Sequence, residues 1–279
     1  MARGADSNEF VGKIAVVTGA GSGIGRSMAR LLAKLGAKVH VVDIDADNAS
    51  LVAEEIAGAG GKAVAHTVDC ADPAALEALA NAVYEEDGRV DILHNNAGIG
   101  HAAPVTDTTI DDWQKIIGVN LLGVAYGVQA FAPKMIEQGG GGHIVNTASM
   151  AGLTPSAGMA PYSTSKAGVI GMCESLDAEL KPHGIRVTAL CPGVIDTNIV
   201  ATSTVRGKIA NRHEQLTNFY ATRGASPDVV ARDAVTAIRR KQVIKPSPWW
   251  QVSPSWWLMR VSPRAYEALA GKIYKRMFG

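Results

Sequence analysis

Short apolar runs alternate with helix-length segments along most of this chain, and that alternation limits the folds open to it. Lys13–Thr18, Lys38–Asp43, Ala63–Val68, Asp91–His94, His143–Thr147 and Ile185–Leu190 are short segments rich in apolar residues, chiefly Val, Ile, Leu and Ala. Runs that are apolar on both faces suit strands covered on both sides, the condition of a parallel sheet. Between them lie Ala-, Leu- and Glu-rich stretches near residues 24–35, 46–58, 73–87, 109–137 and 163–181. Parallel strands need crossovers of that length. The pattern predicts a single doubly wound α/β sheet with helices on both faces, completed by a last strand over Gln242–Lys245. No Pro- or Ser-rich linker interrupts it before about residue 245. The chain is therefore divided into a flexible tail over 1–10, one domain over 11–245 and a Trp-rich extension over 246–279.

Directly after the first run comes Thr18-Gly-Ala-Gly-Ser-Gly-Ile-Gly25, and a helical pattern follows it. Glycine is required where backbone turns tightly and approaches a pyrophosphate with no side chain between them. The helix beyond offers unpaired N–H groups and a positive dipole end to the phosphates. A dinucleotide site is expected at Gly19, Ser22, Gly23, Ile24 and Gly25. Asp43 ends the second run where a carboxylate accepts hydrogen bonds from both adenine-ribose hydroxyls and repels a 2′-phosphate. Ser22 and Ile44 supply no base for such a phosphate, so NAD is the expected cofactor. The bland reading of Asp43 is a strand-end turn residue.

Composition excludes several classes. The 279 residues are 47% hydrophobic, enough for a large core, and their formal net charge is +1. No long basic run precedes the C-terminus, which argues against a nucleic-acid partner. Cys70, Cys173 and Cys191 are odd in number, lack a C-x-x-C spacing and read as reduced structural thiols in a cytoplasmic protein. No spacing links them to the histidines as metal ligands, so no metal is expected. The N-terminus has no signal core, and no apolar run is expected to reach the length of a membrane span.

Tyr162-Ser-Thr-Ser-Lys166 sets a phenol and an ammonium four residues apart, on one face of a helix. A neighbouring positive charge favours phenolate and is expected to bring the Tyr162 pKa down towards the range of general acid–base catalysis.

Taken in order, these words resemble a classical short-chain dehydrogenase/reductase from about Val11 to Thr197. The matching elements are the glycine loop, Asn95-Asn-Ala-Gly98, Asn120, Ser149, Tyr162-Ser-Thr-Ser-Lys166 and Pro192-Gly-Val-Ile-Asp-Thr197. The resemblance implies a Rossmann-type domain that holds cofactor and substrate together. It implies Tyr162 as general acid or base, Lys166 as its cationic partner and ribose ligand, and Ser149 as donor to the substrate oxygen. Asn120 would hold a water linking Lys166 to solvent. Asp69 would fix the adenine amino group beside the Cys70 backbone, and Asn96, Ala97 and Gly98 would pass the adenine ribose. Pro192 and Gly193 join the dinucleotide contacts, and Thr197 would bond the nicotinamide carboxamide. Plainer readings stand beside these. Asn120 is a helix residue, Ser149 a strand-end hydroxyl, and Asp69 a helix cap, a duty that Asp72-Pro73 already meets. Asn95 to Gly98 would mainly tie strands together, and His101 and His143 are read as structural.

Residues 196–225 mix polar and apolar side chains and read as a lid. Met150, Leu153, Met159 and Ile99 should make the facing wall apolar, without an Arg or Lys clamp. A small lipophilic secondary alcohol or its ketone is the expected substrate. A homodimer or homotetramer is implied through the helices near 109–137 and 163–181. The alternatives are an NADP-linked ketoacyl-type reductase and a non-catalytic dinucleotide sensor. The tail carries four of the five tryptophans and a basic helix. It has three readings: packing on the domain or a partner subunit, weak contact with a membrane surface, and a wall of the substrate entrance.

Overall fold

Seven strands lie side by side and parallel: β1 (Ile14–Thr18), β2 (Lys38–Asp43), β3 (Lys62–Thr67), β4 (Ile92–Asn95), β5 (Gly142–Thr147), β6 (Ile185–Pro192) and β7 (Ile244–Ser247). Their spatial order is β3-β2-β1-β4-β5-β6-β7 in a computed structural model that describes residues 9–278. The helices are α1 (Gly23–Lys34), α2 (Ala46–Gly58), α3 (Pro73–Asp87), α4 (Ile110–Ile117), α5 (Gly123–Gln138), α6 (Met150–Leu153), α7 (Ala160–Leu180), α8 (His213–Arg223), α9 (Pro227–Arg240), α10 (Trp249–Val261) and α11 (Pro263–Phe278). From β1 the chain winds outward through β2 and β3, then crosses back to β4 and winds the other way. Loops leaving β1 and β4 therefore diverge and open a crevice at the carboxyl ends of those strands.

Each strand sends alternate residues to opposite faces, which explains why both faces had to be apolar. Val16, Leu93, Ile144 and Val187 pack under Phe131 and Met135 of α5 and Val169 of α7. Ala15, Val17, Val39 and Val41 pack against Met28 and Leu32 of α1 and Val235 of α9. Helix starts follow their capping chemistry. The Asp72 carboxylate accepts the Ala74 N–H at 2.9 Å, with Pro73 in the first turn. Thr109 and Asp112 exchange side-chain and backbone hydrogen bonds at the start of α4.

Four expectations change. Met1–Asn8 of the expected tail lie outside the described residues, but Phe10 is buried and its N–H donates to the Leu35 carbonyl at 2.8 Å. The last strand lies two residues later than expected and runs past the 245/246 boundary. Pro246 is accommodated there because β7 is an edge strand. Helix α4, a π-helical turn at Gly118–Leu122 and α5 run on as one rod, Ile110–Gln138, that is long and apolar enough to cross a membrane. Asn120 and scattered glycines mask that length in the sequence. Here the rod is a core helix, packed on α3 with Phe131 and Met135 fully buried. Finally, His40, Glu86 and Asp87 come together as potential metal ligands, although no sequence spacing joins them. The Lys38 ammonium already neutralises the group, bonding Glu86 at 2.6 Å and Asp87 at 2.8 Å.

Candidate active site

The crevice begins at the glycine loop. Gly19 and Gly23 have φ of 60° and 51°, a left-handed backbone that side chains disfavour. A Cβ on Gly25 would stand 2.1 Å from the Gly19 carbonyl oxygen, so only glycine lets α1 begin this close to the loop. Ser22 occupies the N-cap position without using its hydroxyl there, and no acidic residue stands in the first turn of α1. The positive end of the helix is thus left for an anion. Asp43 lies against the same loop: one carboxylate oxygen accepts the Gly21 N–H at 2.8 Å and the other the Asp45 N–H at 3.1 Å. Arg26, one position past Gly25, has its guanidinium engaged by Glu55 of α2, with Nε donating at 3.1 Å.

Beyond β3, Asp69 accepts the Ala71 N–H at 2.9 Å, while Asp72 does the capping. Burial pushes the Cys70 thiol up to about 12, which leaves it protonated. The Asn96 amide donates to the carbonyls of Thr18 and Gly19 at 3.0 and 3.2 Å, and Asn95 donates to Asn146 at 2.9 Å. These bonds knit β1, β4 and β5, as the plainer reading expected. Ala97 closes on Gly19, and Gly98 carries the backbone past Asn120 and Lys166. Ile24, Pro192, Gly193 and Thr197 line the same cleft, whose volume is about 1780 Å³. A glycine cradle that a Cβ would fill, a free helix N-terminus and a carboxylate beside them fit a dinucleotide.

Tyr162 and Lys166 stand one turn apart on α7, both lining that cleft. Ser149 caps α6, its oxygen accepting the Ala151 N–H at 3.1 Å, which leaves the O–H free to donate elsewhere. The Tyr162 phenol is driven up to about 12 by burial, against a hydrogen bond with Ser149 that lowers it; Tyr220 adds a small rise. Lys166 Nζ lies 5.9 Å from the centre of the Tyr162 ring and donates to the Thr147 carbonyl at 2.8 Å. Burial brings that ammonium down to about 8. The expected lowering of the tyrosine pKa is therefore reversed. Desolvation is the largest cause at the phenol, and the same dry surroundings lower the ammonium.

Asn120 belongs to the π-helical turn and is fully buried. Its Oδ1 accepts the Ile99 N–H at 2.8 Å and its Nδ2 donates to the Ile99 carbonyl at 2.9 Å. An extra residue in a helical turn re-aims a side chain in this way. Both ends of the amide fix the loop after β4, beside Gly98, and Nδ2 also donates to the Ser165 hydroxyl at 3.4 Å.

The opposite wall departs from the sequence reading in detail. Met150, Met159 and Ile99 line the cleft, whereas Leu153 is buried in the core. Lys115 and Arg212 also line it, so basic residues are present where none was expected. Thr204–Val205 pairs with His101–Ala102 as a small second sheet, and the adjoining Arg206 guanidinium grips Asp112 through two hydrogen bonds of 2.8 and 3.0 Å. That pairing holds Asp112 far below the usual carboxylate range. His101 is buried beside it, 3.6 Å from the Asp112 carboxylate. Tyr266, Leu269 and Ala270 of α11 complete the wall, and the Tyr266 hydroxyl donates to the Pro155 carbonyl at 2.9 Å. No local signal announces contacts across such sequence distances.

The model of the short chain dehydrogenase family matches residues 13–206. "Probable oxidoreductase EphD" of Mycobacterium tuberculosis is 42% identical over 264 residues, covering 91% of this chain and 44% of that protein. The chain thus spans less than half the length of that relative. Cyclohexanol dehydrogenase of an Acinetobacter species is 39% identical over 196 residues, covering 70% of this chain and 78% of that enzyme. A short chain dehydrogenase/reductase crystallised with NAD, from Burkholderia phymatum, superposes with a TM-score of 0.85 at 31% identity, covering 92% of this chain and 96% of the other. Fold, glycine cradle and ordered motifs agree with these matches, and the chain belongs to the short chain dehydrogenase family of oxidoreductases.

Proposed function

We propose that this protein is an NAD-dependent alcohol dehydrogenase or ketone reductase acting on a lipophilic secondary alcohol or its ketone. The observation that carries the reading is the convergence of Ser149, Tyr162 and Lys166 beside the glycine cradle in one cleft. Gly19, Ser22, Gly23, Ile24 and Gly25 would hold the pyrophosphate, Asp43 the adenine ribose, and Asp69 with the Cys70 backbone the adenine. Asn96, Ala97 and Gly98 would pass the ribose; Pro192, Gly193 and Thr197 would hold the nicotinamide end. When bound, the nicotinamide supplies or accepts the hydride. Everything else falls to the chain. The Ser149 O–H, which faces the Tyr162 phenol, would hold the substrate oxygen, and the phenol, kept protonated by burial, would give that oxygen its proton during reduction. Lys166 would bind the nicotinamide ribose and relay a proton from solvent back to Tyr162 after reduction, or out to solvent during oxidation, with Asn120 fixing the loop beside it.

Two features favour NAD over NADP. Asp43 presents a carboxylate where a 2′-phosphate would sit, and Arg26 is occupied by Glu55. The NAD of the Burkholderia neighbour agrees. Met150, Met159, Ile99 and Phe219 favour a lipophilic substrate, and the likeness to the Acinetobacter cyclohexanol dehydrogenase supports a cyclic secondary alcohol. Residues 196–225 would act as a lid on residues 11–245. A homodimer or homotetramer would pair the rod and α7, where Leu122 is exposed and Gly171 has open space beside it. Three buried free cysteines suit the cytoplasm.

Purified protein mixed with NAD or NADP and a panel of lipophilic secondary alcohols tests this through the absorbance of reduced nicotinamide. Turnover with NAD at least tenfold more efficient than with NADP is expected; equal efficiency would overturn the cofactor assignment. Dinucleotide binding without turnover across the panel would favour a sensor.

A further inference from the structure

Helix α10 turns an uncovered apolar stripe outward. Trp250, Pro254, Trp257 and Val261 follow one another at intervals of four, three and four residues, which places them along one side of a helix. Trp250, Trp257 and Val261 are 58, 63 and 78% exposed. The opposite side carries Val252 and Ser253, both buried, and Trp256, which packs on the core beneath the Arg260 guanidinium. The helix is thus anchored by one side and bare on the other. Large exposed aromatic groups in a row are unusual on a surface that meets only water.

Charge narrows the occupant. From Trp249 onward the chain has five basic residues, Arg260, Arg264, Lys272, Lys275 and Arg276, against one acidic residue, Glu267. A second copy docking by two-fold symmetry would bring this basic surface onto itself, since such contacts pair a patch with the same patch. An anionic lipid surface meets both requirements: indole rings settle at the headgroup boundary while arginine and lysine face the phosphates. We propose that α10 docks the protein on an anionic membrane surface through Trp250, Trp257 and Val261, with the exposed Arg264, Lys272 and Lys275 of α11 as the electrostatic partner.

The position of this surface gives docking a consequence. Ser255 of α10 and Tyr266, Leu269 and Ala270 of α11 line the cleft whose other end holds the glycine cradle. A lipid-facing α10 therefore sets one wall of the cleft next to the bilayer, where a lipophilic alcohol partitions. This consequence rests on the substrate reading above; the docking itself rests on the surface alone.

Co-sedimentation of the 279-residue protein with vesicles of phosphatidylglycerol and phosphatidylcholine, and with phosphatidylcholine alone, tests the proposal. Binding to the anionic vesicles is expected, weakened by high salt and by omitting the anionic lipid. The double variant Trp250→Ser, Trp257→Ser should bind about tenfold more weakly while its subunit mass stays unchanged. Far-ultraviolet circular dichroism and turnover of a water-soluble secondary alcohol report whether that variant is folded. No binding by the intact protein, or equal binding by a folded variant, would overturn the docking. A drop in subunit mass in the variant would overturn it too, by assigning the stripe to a second copy. Turnover without vesicle binding defeats the docking alone; vesicle binding without turnover on any alcohol defeats the functional reading alone.

Discussion

Lys166 Nζ sits 5.9 Å from the centre of the Tyr162 ring, yet its hydrogen bond goes to the Thr147 carbonyl, 2.8 Å away. The pair is close enough to interact but is held apart by that carbonyl anchor. Burial keeps the phenol as a proton donor and weakens the ammonium at the same time. Removing only the phenolic hydroxyl should therefore remove the proton and little else. Tyr162→Phe is expected to lower kcat by about a hundred- to ten-thousandfold, the usual worth of a positioned acid or base. NAD affinity, read by fluorescence titration, should stay within about threefold. A variant with near-normal kcat would end the assignment of Tyr162.

Asp43 should set cofactor choice by charge. Asp43→Asn keeps the shape but removes the repulsion and weakens the ribose contact. The ratio of kcat/KM for NAD to that for NADP is expected to fall by at least about tenfold, since a neutralised carboxylate contact is worth 1 to 3 kcal/mol. Steady-state kinetics with both dinucleotides would check it. An unchanged ratio would mean that other residues select the cofactor.

Asn120 holds both backbone groups of Ile99, so truncating it leaves a backbone donor and acceptor at the cleft wall without their partner. Asn120→Ala should cost about 2 to 4 kcal/mol in urea unfolding. It should also lower kcat/KM, because Ile99 lines the cleft next to Gly98. Full activity in a destabilised variant would confine Asn120 to a role in stability.

Acid should unfold the protein through its buried histidines. Burial, helped by nearby Arg186, lowers His143 to about 4, and burial lowers His94 to about 3. Both folded values lie below the ordinary 6.5, so the unfolded chain takes up these protons first as pH falls. Their contribution to stability is complete above about pH 6.5 and is lost as pH drops through the folded values. Between pH 6.5 and 4 the wild type should lose about 3 kcal/mol more than His143→Gln, whose amide still reaches Thr188. Urea titrations at several pH values would measure the difference; parallel curves would sink this account.

Much of the molecule was legible from local rules. Strand and helix periods are written residue by residue, so the parallel sheet, the capping of α3 by Asp72 and the glycine cradle followed from spacing and from the backbone freedom of Gly19, Gly23 and Gly25. What the tertiary structure decided involves groups far apart in the chain or the loss of water around them. The sequence puts Lys166 four residues from Tyr162, but only the packed interior reveals that desolvation, not charge, governs the phenol. Arg206 reaches Asp112, Tyr266 reaches Pro155, and Lys38 fills the His40 group because the fold brings distant segments together. Periodicity records which face of an element is apolar; it holds no information on which distant element will cover that face, or leave it bare as on α10.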